Sequence, residues 1–154
     1  MEKKISIYTD GAASGNPGPG GLGVVMIYGD LRKEISEGYQ LTTNNRMELL
    51  AVIRGLEAIR WENTDVVVYT DSKYVSEAVN QGWLFGWEKK NFKNKKNPDL
   101  WKMFLPLYRR HMVKFQWIKG HAGNKENSRC DELAVIASRG KNLREDSGYT
   151  GSYE

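Results

Sequence analysis

A single cysteine, Cys130, and only two histidines, His111 and His121, occur in 154 residues. One thiol cannot close an internal disulfide, and no Cys/His group has zinc-ligand spacing, so a disulfide framework is excluded and a reducing compartment suits the chain. No apolar run approaches the roughly 20 residues that span a bilayer. Met1-Glu2-Lys3-Lys4 leads into a strand pattern without an apolar signal core, which points to the cytoplasm. An EF-hand loop and a Gly-Lys-Ser/Thr phosphate loop are also lacking. Gly18-Pro19-Gly20-Gly21-Leu22-Gly23 matches the dinucleotide spacing, but Val24-Val25 continues it as a strand rather than as the helix whose N-terminus would hold pyrophosphate.

What is present begins with two apolar, β-prone runs that end alike, Ile5-Ser6-Ile7-Tyr8-Thr9-Asp10 and Val66-Val67-Val68-Tyr69-Thr70-Asp71. With 40% hydrophobic residues the chain can bury a core of its own, and its length fits one domain, residues 1–140, followed by an aperiodic, loose tail at 141–154. Strands are expected at the two Thr-Asp runs, at 24–28, at 33–39 and at 113–118. Short joins make the first three an antiparallel meander, because a parallel return needs a crossover of about a dozen residues or more. Helical periodicity covers 44–60, with Leu49, Val52, Ile53, Leu56 and Ile59 on one side. Further helices are read at 74–80, at 99–110 despite Pro106, and at 125–138, with Gly82 and Gly86 as interruptions. The order βββαβα(α)αβα predicts an α/β domain built on one mixed five-stranded sheet, the later strands parallel through helical crossovers and helices on both faces.

Asp10 and Asp71 leave their strands at the same edge if those strands are neighbours. Glu48 borders the apolar stripe of its helix and can point at the sheet, and Asp131 is carried by the last helix. Bland readings exist for each: Asp10 as a turn residue, Asp71 or Ser72 as a helix cap, Glu48 paired with Asn45 in a capping box, Asp131-Glu132 as an ordinary helix start. Several acids brought together repel until cations neutralise them, and oxygen-only ligands suit magnesium or manganese. Two such ions about 3.5–4 Å apart can activate water and stabilise the leaving oxygen at phosphorus. His121, between Gly120 and Gly123, can carry a proton near neutral pH, whereas His111 at a helix end is given no chemistry. Asn16 and the glycine loop can bring backbone close to a sugar-phosphate chain.

Five lysines in the eight residues 89–96 exceed the whole net charge of +4, so the basicity is local. With Trp83, Trp87, Phe92 and Trp101 nearby, this patch suits a polyanion gripped through phosphates and aromatic faces.

The segments Ile7-Tyr8-Thr9-Asp10-Gly11, Gly15-Asn16-Pro17-Gly18-Pro19-Gly20-Gly21, Thr42-Thr43-Asn44-Asn45-Arg46-Met47-Glu48-Leu49, Thr70-Asp71-Ser72, Trp117-Ile118-Lys119-Gly120-His121-Ala122-Gly123 and Asn127-Ser128-Arg129-Cys130-Asp131-Glu132-Leu133-Ala134 together resemble bacterial ribonuclease HI, in that family's order. The resemblance implies the ribonuclease H-like fold and endonucleolytic cleavage of the RNA strand of RNA–DNA hybrids, leaving 5′-phosphate and 3′-hydroxyl ends. It also implies two Mg²⁺ ions, with Mn²⁺ able to substitute, held by Asp10, Glu48, Asp71 and Asp131. His121 would assist proton transfer or product departure. Asn16, Asn44 and Asn45 would read the minor groove and ribose hydroxyls, and Thr43 would hold a DNA phosphate. Gly11, Ser72 and Lys73 would add substrate contacts, while Trp83, Trp87, Lys89 and Lys90 would grip the DNA strand. The hybrid duplex would be the partner, with no membrane, no obligate protein partner and a monomeric state. Lys73 stands where the family often has Gln, and Gly86 where it often has Asn. A hybrid-binding module without catalysis, a DNA-directed nuclease on the same fold, and a metal-free nuclease using an imidazole pair are the alternatives.

Overall fold

Period-two alternation buries Ile5 and Ile7 and leaves Ser6 and Tyr8 half-buried, and the strand they start, β1 (Lys4–Ala13), becomes the centre of the sheet. The computed structural model describes residues 4–120 and 123–150. β2 (Gly18–Tyr28) and β3 (Leu31–Thr42) complete the antiparallel meander. β4 (Asp65–Thr70) then pairs with β1, and β5 (Met112–Trp117) with β4, both parallel. The order across the sheet is β3-β2-β1-β4-β5, the mixed five-stranded arrangement expected.

Helix α1 (Asn44–Glu57) crosses from β3 to β4 on one face, with Gly55 seated over Ile7 and Val24. Its outer side is covered in turn by α4 (Pro98–Arg110), whose Trp101 and Phe104 are fully buried, so Leu49, Leu50, Val52, Ile53 and Leu56 all lie inside. The short α2 (Lys73–Asn80) and α3 (Trp83–Lys89) precede α4. On the opposite face α5 (Lys125–Ser138) packs against β2 and β1. It approaches so closely that a Cβ at Gly21 would stand 2.1 Å from Ala134 O, and one at Gly23 would stand 2.2 Å from Cys130 O. Among the described residues no helix is long and apolar enough to cross a membrane.

Four local expectations need correction. β2 starts at Gly18 rather than at Val24, and its Gly21 and Gly23 are the strand positions over which α5 sits. Gly82 separates α2 from α3 in a left-handed conformation, φ 77°, but Gly86 lies inside α3 rather than interrupting a helix. Helix α1 ends at Glu57, after which Ile59 turns into the core. The segment from 141 read as loose is pinned through residue 150. Arg144 exchanges backbone hydrogen bonds of 2.8 Å with Gly38 O and Gln40 N, while Asp146 accepts from Arg46 Nε and from the Thr42 hydroxyl, both at 2.7 Å. Arg46 is buried and also pairs with Asp99 at 2.7 Å, so one guanidinium ties α1, α4 and the tail together.

Candidate metal centre and nucleic-acid interface

Parallel pairing of β1 with β4 runs in register to Tyr8 and Tyr69, which puts Asp10 and Asp71 two residues beyond that pair at the same end of the sheet. Glu48 arrives from the second turn of α1. The backbone N–H of Gly11 donates to Asp10 Oδ1 at 2.9 Å and to Glu48 Oε1, stitching strand to helix. That approach demands glycine, since a Cβ at position 11 would lie 2.4 Å from the Met47 carbonyl carbon and 2.5 Å from Glu48 N. One carboxylate oxygen from each of Asp10, Glu48 and Asp71 falls within 4.8 Å of the others.

Competing local roles for these acids are taken by their neighbours. The Thr43 hydroxyl caps α1 by accepting from Arg46 N at 3.3 Å, so Glu48 is not spent in a capping box with Asn45. The Ser72 hydroxyl caps α2 by accepting from Val75 N at 3.2 Å, so Asp71 is not the cap. Asp131, half-buried on α5, lies outside the 4.8 Å set but near enough for its charge to raise the pKa of Asp10. The structure therefore gathers three acids tightly and sets the fourth on their flank. His121 lies outside the described residues.

Burial foremost, and then the Asp71 charge, raise the pKa of Asp10 to about 6, while hydrogen bonds from Glu48 and Gly11 N–H hold it lower than burial alone would. Glu48 is raised well above the usual carboxylate range by burial and then by the Asp10 charge beside it. Both shifts disfavour two bare carboxylates side by side, so the pair is stabilised by a proton or by a cation. Three oxygen donors with no sulfur or imidazole among them fit a hard divalent ion.

Beside this centre, Asn16 Oδ1 accepts from Asn44 N at 2.9 Å, and Asn44 Oδ1 accepts from Ala13 N at 2.6 Å. Their acceptor ends are thus occupied, and the amide NH₂ groups are what these exposed side chains offer a ligand. Asn45 is half-buried in the first turn of α1, and Thr43 is wholly covered, so Thr43 acts here by orienting that turn. Lys73 lays its ammonium over the Trp117 ring, 5.2 Å from the centroid. A groove of about 390 Å³ is lined by Lys73, Trp83, Trp87, Asn94, Lys95 and Lys96 among others, with Lys89 and Lys90 exposed on the same projection. Left-handed turns at Asn91, Phe92 and Asn94 shape that projection, and buried Phe92 anchors it with the lysines facing outward. Lys95, which sequence reasoning did not single out from the run, lies 5.2 Å over the Trp87 ring. The alternation of Asn with Lys, a turn signal, was its only trace.

Oxygen donors burdened with excess negative charge, next to a surface built for a polyphosphate backbone, are the equipment of a phosphodiester hydrolase. Comparison with known proteins narrows that class. The RNase H family model matches residues 2–139. Ribonuclease H of Desulforamulus reducens is 56% identical over 146 residues, covering 92% of this chain and 91% of that protein. Ribonuclease H of Syntrophus aciditrophicus is 52% identical over 153 residues, covering 96% and 88%. Ribonuclease HI of Synechocystis sp. is 50% identical over 151 residues, covering 94% of each. Among solved structures, LC9-RNase H1, a type 1 RNase H with the type 2 active-site motif, superposes with a TM-score of 0.80 at 30% identity, over 90% of this chain and 73% of that one. LC11-RNase H1 in complex with RNA/DNA hybrid gives 0.66 at 30% identity, over 86% and 95%. The chain belongs to the ribonuclease H family.

Proposed function

We propose that this chain is an endoribonuclease that hydrolyses the RNA strand of RNA–DNA hybrids, with Asp10, Glu48 and Asp71 as the core cation ligands and Asp131 completing the set. The gathering of three carboxylate oxygens within 4.8 Å carries the reading, because the charge it concentrates is unfavourable without cations. Divalent ions, Mg²⁺ with Mn²⁺ able to substitute, supply an activated water and stabilise charge at phosphorus when bound. The residues do the rest. Gly11 N–H, donating to both Asp10 and Glu48, fixes the direction of two ligands. Asn16, Asn44 and Asn45 present donors for ribose hydroxyls and base edges, the groups that separate RNA from DNA. Ser72 and Thr43 orient the helix starts beside them. Lys73, Trp83, Trp87, Lys89 and Lys90 hold the DNA strand through phosphate and ring contacts, and His121 moves a proton during turnover. The site is built from one chain, and the enzyme works as a cytoplasmic monomer with no obligate protein partner.

The test is end-labelled hybrid, duplex RNA and duplex DNA incubated with Mg²⁺ and with EDTA. Internal cuts confined to the RNA strand of the hybrid, with 5′-phosphate ends, abolished by EDTA and by Asp10→Asn, are expected. Hybrid retained but uncut in Mg²⁺, or preferential cutting of duplex DNA, contradicts the assignment.

A further inference from the structure

Asp71 stands one residue past the end of β4, where the β ladder no longer fixes it. The last ladder pair is Thr70 with Trp117, and just past it Ile118 N–H donates to Thr70 O at 2.9 Å. Beyond that point the peptide unit joining Asp71 to Ser72 is held at both ends by side chains. Its carbonyl, Asp71 O, accepts from the indole Nε1–H of Trp117 at 3.1 Å. Its amide, Ser72 N–H, donates to Thr70 Oγ1 at 3.0 Å. Fixing both ends of one peptide plane fixes ψ of Asp71, and with it the direction in which the carboxylate leaves the backbone. The indole is itself restrained, since the Lys73 ammonium covers its ring at 5.2 Å. Gly120 closes the other side, where a Cβ would meet Asp71 Oδ2 at 2.8 Å.

We infer that Trp117 and Thr70 are positioning residues for the reaction, clamping the Asp71–Ser72 peptide so that the Asp71 carboxylate faces Asp10 and Glu48. The inference rests on the ligand role of Asp71 proposed above. Trp117 is 39% exposed, so its indole is not needed to fill the core, and Thr70 is fully buried with its hydroxyl turned to a backbone amide. Angular precision of a ligand affects chemistry more than substrate affinity, because most groups proposed above to hold the hybrid, Asn16, Asn44, Asn45, Trp83, Trp87, Lys89 and Lys90, lie on other elements.

Steady-state kinetics on labelled hybrid, with Mg²⁺ varied, test it. Trp117→Phe keeps an aromatic ring beneath Lys73 and removes the N–H together with the rest of the indole's second ring. Thr70→Val keeps shape and removes the acceptor, while Thr70→Ser retains it. For Trp117→Phe and Thr70→Val the expected result is a kcat lowered about fivefold to tenfold, with half-saturating Mg²⁺ raised about as much and KM for hybrid within about twofold. Thr70→Ser should restore both kinetic values. Wild-type kcat and Mg²⁺ dependence in Trp117→Phe overturn the inference, as does a change in KM alone. Should Thr70→Val fail to fold, Trp117→Phe still decides. Asp71→Asn separates the two levels: full activity in that variant refutes the ligand role of Asp71, whereas an inactive Asp71→Asn beside an unaffected Trp117→Phe refutes only the clamp.

Discussion

Replacing Asp146 by alanine asks whether the C-terminal segment is part of the folded unit. In the wild type its carboxylate accepts from Arg46 Nε at 2.7 Å, from Arg46 Nη2 at 3.0 Å and from the Thr42 hydroxyl at 2.7 Å. The Arg46 side chain is 2% exposed and that of Asp146 6%, whereas the other partner, Asp99, is 40% exposed. Truncation leaves a buried guanidinium with the half-open Asp99 as its remaining carboxylate and Asn97 Oδ1 at 3.1 Å, a loss of about 3 kcal/mol and a fall in Tm of roughly 6–12 °C for a chain of this size. Urea unfolding followed by circular dichroism in EDTA gives the free energy directly, and Arg109→Ala, which opens an exposed pair with Glu88, is the control expected to leave the midpoint unchanged. A Tm for Asp146→Ala within a degree of wild type would refute the clasp. Cleavage of hybrid at 25 °C in saturating Mg²⁺ should persist, because Asp146 touches none of the three clustered acids.

Three further outcomes follow from the same geometry. Asp10 has a folded-state pKa raised to about 6, so its favourable contribution belongs to the protonated form, is complete below about pH 4 and is lost as pH rises through about 6. In EDTA, thermal melts should therefore show Asp10→Asn more stable than wild type at pH 8, by about 2–3 kcal/mol, and little different at pH 4; equal stability at pH 8 would show that burial and the neighbouring acids do not raise the Asp10 pKa. Gly11→Ala should lower both Tm and kcat severely, since its Cβ would meet the backbone of α1 at 2.4 Å, and a wild-type kcat in hybrid cleavage would contradict the stitched contact. Replacing Lys89, Lys90, Lys93, Lys95 and Lys96 together by alanine should raise KM for hybrid at 150 mM salt and flatten its salt dependence with kcat little changed, whereas an unchanged salt slope would remove the projection from the binding surface.

The parts of this molecule legible in its sequence are those set by local pattern. Period-two runs closing in Thr9-Asp10 and Thr70-Asp71 mark two strands, and the short joins around β2 leave only a meander. That β1 and β4 are neighbours, and hence that Asp10 and Asp71 meet, depends on sheet order, which one strand's pattern does not encode. Thr43 and Ser72 could not be distinguished from Asn45 and Asp71 as caps, because each pair offers an oxygen near the same helix start. The clasp between Arg46 and Asp146 joins residues 100 positions apart, and no periodicity reports it. The flanking place of Asp131 is likewise set by how far α5 slides over Gly21 and Gly23, a matter of packing rather than of motif.

Titration of Mg²⁺ into the substrate-free enzyme at pH 6, by calorimetry in buffers of different ionisation enthalpy, addresses the carboxylate cluster itself. Wild type should bind with release of a proton from the Glu48–Asp10 pair, and Glu48→Gln should weaken binding at least about tenfold while abolishing that release. Equal affinity and equal proton release in wild type and Glu48→Gln would show that these acids do not form the cation site.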